Sequence, residues 1–253
     1  MQHIPRKRFG QHFLHDPRII AKILAAVAPK PGDALVEIGP GLGAITLPLL
    51  EQTRRLTAIE LDRDVIPQLE TAAKHKGELR IVQGDALEQA LAPLTPAGAK
   101  LRLVGNLPYN VSTPLLFHFL EQADCVEDMH FMLQKEVVQR MAARPGGKEY
   151  GRLTVMLASR CKVEPLFNIG PGAFRPPPKV DSAFVRLTPF TAPPFPIPDR
   201  VRYARIVTQA FSHRRKTLKN ALAGLVDEAA IVAAGIDAKA RPETLSAADY
   251  ARL

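Results

Sequence analysis

Cysteine is scarce: Cys125 and Cys161 are the only two in 253 residues. They lack metal-ligand spacing and the density of a disulfide scaffold, so buried free thiols and no metal site are expected. Long apolar runs are missing too. No stretch reaches the roughly 18 residues that a membrane helix needs. The N-terminal MQHIPRKRFGQHFL carries charge without the apolar core of a signal peptide. These absences predict a cytoplasmic protein with no membrane partner. Low-complexity tracts, solenoid-period repeats and coiled-coil heptads are also absent, and no long apolar helix face asks for an obligate partner. A monomer is expected.

Acidic residues are the other shortage. Lys and Arg number 34 against 25 Asp and Glu, a net charge of +9. From Arg200 to Lys219 the chain has no Asp or Glu at all, while Arg200, Arg202, Arg205, Arg214, Arg215, Lys216 and Lys219 fall in that window. Cations concentrated in this way favour a polyanion, because each one that neutralises a phosphate releases a counterion. Arg214, Arg215, Lys216 and Lys219, with Arg6, Lys7 and Arg8 near the N-terminus, are the candidate residues for binding it, and charge alone does not choose between RNA, DNA and anionic lipid. His213 to Lys216 are expected within one helical turn.

With 46% hydrophobic residues the chain can bury a large core. In DPRIIAKILAAVAP, apolar residues recur at helical spacing, with Asp16 placed as N-cap and Pro17 at the first helical position. Strand-like ALVEIG, RLTAIEL, LRIVQGD, LRLVGN and MHFMLQ then alternate with helix-like segments starting near Ala44, Asp64 and Thr113. That alternation predicts an α/β fold with a Rossmann-like parallel sheet, whose ligands bind beyond the carboxyl ends of the strands. TPFTAPPFPIPD, with five prolines in twelve residues, marks a boundary. The expected organisation is a sheet domain over 1–190, a linker over 191–198 and a small helical, basic domain over 199–253.

The turn in VEIGPGLGAIT sets Gly39, Gly41 and Gly43 between strand and helix, where backbone can approach a ligand closely. A dinucleotide would also fit the spacing, which keeps an oxidoreductase in view. Pro40 removes a donor, however, and Glu37 puts a carboxylate where a pyrophosphate would need positive potential. A ligand carrying a sulfonium and an ammonium, S-adenosylmethionine, suits these residues better. Glu60 ends the next strand, where a carboxylate can accept from ribose hydroxyls, and Asp85 can accept from an adenine amine.

GNLPYNVSTPLL then brings Asn106, Leu107, Pro108 and Tyr109 to the same sheet edge. An adenine amine is a weak nucleophile until its nitrogen is pyramidalised. The Asn106 side-chain oxygen and the Leu107 carbonyl can each accept one of its N–H groups, with Pro108 fixing that carbonyl inward. Tyr109 offers a flat face to a base extruded from its stack.

EIGPGLGAITL, VIELDRD, QGDAL, GNLPYNVSTPL, MHFMLQKEVVQRM, FRPPPKVDSAFVRL and AFSHRRKTLKNAL, in this order, resemble the ribosomal RNA adenine N6-dimethyltransferases of the small-subunit type. The resemblance runs from RKRFGQHFL to the last helices. It implies transfer of methyl groups from S-adenosylmethionine to two adjacent adenosines in a hairpin near the 3′ end of 16S rRNA within the immature small ribosomal subunit. It places the cofactor against His12, Leu14, Gly39, Glu60, Asp85 and Asn106, and the target adenine between Tyr109 and Phe174. The family more often has Asn at the position of His12. Two alternatives stay open: a large-subunit adenine methyltransferase, and an assembly factor whose binding matters more than its catalysis.

Overall fold

A computed structural model describes residues 12–253. The chain divides into two compact units. One runs through Val138 and includes Glu164–Pro189; the other comprises Gln139–Val163 and Phe190–Leu253.

The first unit is built on a seven-stranded sheet ordered β4-β3-β2-β5-β6-β9-β7. These are β2 (Ala34–Ile38), β3 (Arg55–Glu60), β4 (Glu78–Gln83), β5 (Leu101–Asn106), β6 (Val126–Gln134), β7 (Cys161–Ile169) and β9 (Ser182–Pro189). Strands β2 to β6 pair in parallel, and β9 returns antiparallel to β6. The order reverses between β2 and β5, so their carboxyl ends open a crevice. There Gly105 lies opposite Ile38, and a β-carbon on Gly105 would come within 2.5 Å of the Ile38 carbonyl oxygen. Only glycine lets the two strands close at that point.

The expected helices form close to their predicted starts: α1 (Pro17–Val27), α2 (Thr46–Thr53), α3 (Ile66–Ala73) and α4 (Ser112–Glu121). Asp16 caps α1, its Oδ1 accepting from the Arg18 and Ile19 backbone N–H groups. Leu49, Leu50, Phe119 and Phe131 are fully buried. A two-residue ribbon, β1 (Phe13–Leu14) with β8 (Phe174–Arg175), pairs antiparallel with Phe13 opposite Arg175 and Leu14 opposite Phe174. At the other end of the sheet, Arg102 of β5 meets Asp33 at 2.7 Å and binds Asp128 of β6 through two nitrogens at 2.9 and 3.0 Å.

The second unit is helical and larger than the expected 199–253. Residues 139–163, with α6 (Arg152–Ala158), pack among α7 (Arg200–Ser212), α8 (Leu218–Ala221), α9 (Glu228–Ala233) and α10 (Ala247–Ala251), because Tyr150 and Val155 fill the same core as Tyr203, Ile206 and Leu222. Three buried tyrosines pin this core by donating to backbone carbonyls: Tyr150 to Leu245, Tyr203 to Val155 and Tyr250 to Pro242, at 2.7–3.0 Å. Each hydroxyl is satisfied, so aromatic bulk is gained without an unpaired polar group. Both cysteines are free thiols, and burial pushes Cys161 up to about 12. No helix among the described residues is long and apolar enough to cross a membrane.

Candidate active site

A cleft of about 1390 Å³ opens at the carboxyl ends of β2, β3, β4 and β5, entirely within the first unit. The glycine turn after β2 forms one wall. Gly41 has φ +54°, and a β-carbon there would lie 3.0 Å from the Phe13 ring, so the turn is both left-handed and pressed against the ribbon. The turn is tied to β3, because the Gly41 N–H donates to Glu60 Oε2 at 3.0 Å while Oε1 accepts from the Asp62 N–H at 2.7 Å. Burial raises the Glu60 pKa against the opposing pull of backbone N–H groups of Asp62, Gly41 and Leu61.

Glu37 lies deeper, 1% exposed, and its Oε2 has no hydrogen-bond partner. Burial pushes its carboxyl up to about 8; a Thr46 hydroxyl opposes the shift and the Glu60 charge adds to it. The folded state therefore holds a proton that the unfolded chain has already released above its own pKa near 4.5. Stability from Glu37 is complete below that value and is lost as pH rises through about 8. Thermal unfolding between pH 6 and 8 should show the wild type losing about 2 kcal/mol relative to Glu37→Gln. Parallel curves for the two proteins would contradict this assignment.

The opposite wall is the loop after β5. The Asn106 side chain is oriented by donation from Nδ2 to the His12 carbonyl at 2.9 Å. A carbonyl can only accept, so the amide nitrogen must face it, which turns Oδ1 the other way. Among the described residues no backbone N–H outside the helices and strands donates to the Leu107 carbonyl, and Asn106 and Leu107 both line the cleft. Tyr109 is fixed at both ends. Its hydroxyl lies 2.6 Å from Ser182 Oγ, and its carbonyl accepts from Ser112 Oγ at 3.2 Å. Its ring stacks on His12, with centroids 5.9 Å apart and planes at 27°. His12 Nδ1 in turn lies 2.8 Å from the Pro176 carbonyl and so donates to it.

Of the sequence-predicted residues, His12, Leu14, Gly39, Gly41, Glu60, Asp85, Asn106, Leu107, Pro108 and Tyr109 all line this cleft. Asp85 Oδ1 is taken by the Leu87 N–H at 2.9 Å. Phe174 does not line it. It is 1% exposed and packs in the hydrophobic core with Leu14, its partner across the ribbon, whereas Arg175 next to it lines the cleft. A wall formed by Phe174 beside Tyr109 is therefore corrected.

Nor do His213 to Lys216 form a helical turn. Helix α7 ends at Ser212, and the four residues make a turn closed by Lys216 N–H on the His213 carbonyl. Arg214 donates to the Lys148 carbonyl at 2.9 Å and Lys219 pairs with Glu228 at 3.3 Å, whereas Arg215 and Lys216 are exposed. Arg6, Lys7 and Arg8 lie outside the described residues. Sequence reasoning missed Phe13, Arg175 and Ser182. Two of these stand in the quoted FRPPPKVDS segment, but nothing in their residue type announces a role.

A family model described as ribosomal RNA adenine dimethylase matches residues 2–253. A protein of Pseudomonas putida called ribosomal RNA small subunit methyltransferase A is 54% identical over 252 residues, covering 100% of this chain and 94% of the relative. The protein of the same name from Marinobacter nauticus is 55% identical over 251 residues, covering 99% and 91%. Among solved structures, a dimethyladenosine transferase from Plasmodium falciparum superposes with a TM-score of 0.78 at 25% identity, covering 95% of each chain. The 23S rRNA methyltransferase ErmE does so with a TM-score of 0.74 at 26% identity, covering 95% of this chain and 97% of its own.

Proposed function

Because this chain belongs to the ribosomal RNA adenine dimethylase family, we propose that it transfers methyl groups from S-adenosylmethionine to the N6 amines of two adjacent adenosines near the 3′ end of 16S rRNA in the immature small subunit. The observation that carries the chemistry is the Asn106 to His12 bond, which turns Asn106 Oδ1 away from His12, with Leu107 next to it in the cleft lining. Asn106 Oδ1 and the Leu107 carbonyl accept the two N–H groups of the adenine amine and turn its lone pair out of conjugation. Their effect is greatest as the nitrogen becomes tetrahedral, when its hydrogens are most positive.

The cleft fits the cofactor on two counts: the unpartnered Glu37 oxygen suits a cationic group, whose charge favours ionisation of the buried carboxyl, and the close-packed glycine turn admits backbone approach. Glu60 and Asp85 hold its nucleoside, and His12 and Leu14 close over it. When bound, it supplies an electrophilic methyl group on a sulfonium. Tyr109 gives the extruded base a stacking surface held still by Ser182 and Ser112. No strong base is needed, since the methylated amine is acidic enough to lose its proton to water. Arg215 and Lys216, exposed on the second unit, contribute phosphate contacts.

The test is methylation of unmodified 30S particles by the purified protein with S-adenosylmethionine, followed by mapping of the modified nucleotides. Dimethyladenosine at two adjacent positions near the 3′ end of 16S rRNA is expected. Methylation confined to 23S rRNA, or none, would overturn the reading.

A further inference from the structure

We propose that Arg175 is an RNA-binding residue, its guanidinium taking a backbone phosphate next to the extruded adenosine at the mouth of the cleft. The proposal rests on the function just given. Its first support is position: Arg175, paired with Phe13 across the ribbon, lines the cleft and is exposed.

The second is that no carboxylate among the described residues pairs with it. Several cations of the same unit have carboxylate partners, with Arg102 on Asp33 and Asp128, Lys135 on Asp181, Lys76 on Glu51 and Arg55 on Glu78. Among the described residues no carboxylate pairs with Arg175, although acidic side chains are plentiful in the cleft below it. An arginine left unpaired at an exposed rim is available for an external anion.

The third is rigidity. On one side the chain is anchored by the buried Phe174, and on the other the Pro176 carbonyl accepts from His12. Arg175 is thus presented from a fixed strand rather than a free loop, which lowers the ordering cost of a phosphate contact. Lys179, also exposed, follows in the same segment. A base that swings out of its stack carries its flanking phosphates to the rim, and the planar guanidinium fork matches their geometry.

Arg175 could instead hold the carboxylate of the cofactor's amino-acid tail, and the experiment separates the two anions. Full-length wild type and Arg175→Ala are compared in three measurements: affinity for unmodified 30S particles across a salt series, cofactor affinity by calorimetry, and methylation kinetics. The expected result is a three- to tenfold loss of particle affinity. The slope of log affinity against log salt should fall by about 0.7–0.9, with KM for particles raised and kcat and cofactor affinity unchanged. Arg175→Glu should extend the loss in the same direction. Unchanged particle affinity and salt slope in a pair of enzymes that both methylate 30S would refute the contact while leaving the proposed function standing. A loss confined to cofactor affinity would reassign Arg175 to the carboxylate. Wild type that methylates no 30S particle would remove the function and this inference together.

Discussion

Asn106→Ala should bind S-adenosylmethionine within a few-fold of wild type yet methylate 30S particles about 100- to 1000-fold more slowly in single turnover. The magnitude follows from what is deleted. Under the proposed function the carboxamide oxygen is one of two acceptors whose hold on the amine strengthens as the nitrogen becomes tetrahedral, so its removal raises the barrier more than it weakens binding. The same substitution frees the His12 carbonyl, but that group lies at the cleft wall and can be hydrated. A single-turnover rate within tenfold of wild type would show that the Leu107 carbonyl suffices and that Asn106 is not a catalytic acceptor.

The second large effect is on stability and lies at the other end of the sheet. Arg102→Ala should cost about 3 kcal/mol, roughly 6–12 °C in Tm, without altering cofactor affinity. Arg102 is mostly buried and binds Asp128 through two nitrogens, Asp33 through a third bond and the Val27 carbonyl through a fourth. Removing it leaves two poorly solvated carboxylates, Asp33 and Asp128, without the cation they share, and their repulsion adds to the lost bonds. Arg102→Lys should recover only part of the loss, because an ammonium cannot fork onto Asp128. Unfolding by heat or denaturant measures both, and a change below 1 kcal/mol for the alanine variant would mean that water screens the cluster.

The parallel strands and the cleft were legible because each expected strand combined an apolar run with a polar or glycine residue at its carboxyl end. Glu37, Glu60, Asp85 and Asn106 announced themselves in that way. Strands β7 and β9 did not. The first mixes Lys162, Glu164 and Pro165 into its run, and neither follows the strand-then-helix alternation. Phe174 was misplaced because a two-residue strand has no period from which to read its inward and outward faces; only the pairing with residues 13 and 14 decides them. The break after Ser212 was hidden for a related reason. No glycine or proline follows it, and every residue from His213 to Lys216 tolerates a helix. Residues 139–163 joined the second unit through Tyr150 and Val155, a choice made by tertiary packing with residues some fifty or more positions later.

Under the proposed function, the ribbon that carries Phe13 and Arg175 also bears on when the molecule becomes competent. Asn106 is aimed by residue 12, and residue 12 is held by Pro176, 164 positions later. The parallel strands β2 to β6 lie wholly before residue 135 and can pair before that distant segment has left the ribosome. A nascent or C-terminally truncated chain can therefore possess most of its sheet and a glycine turn shaped for a ligand while the carboxamide still swings freely. Architecture and reactivity are acquired in sequence, and the last stitch, two residues long, separates them.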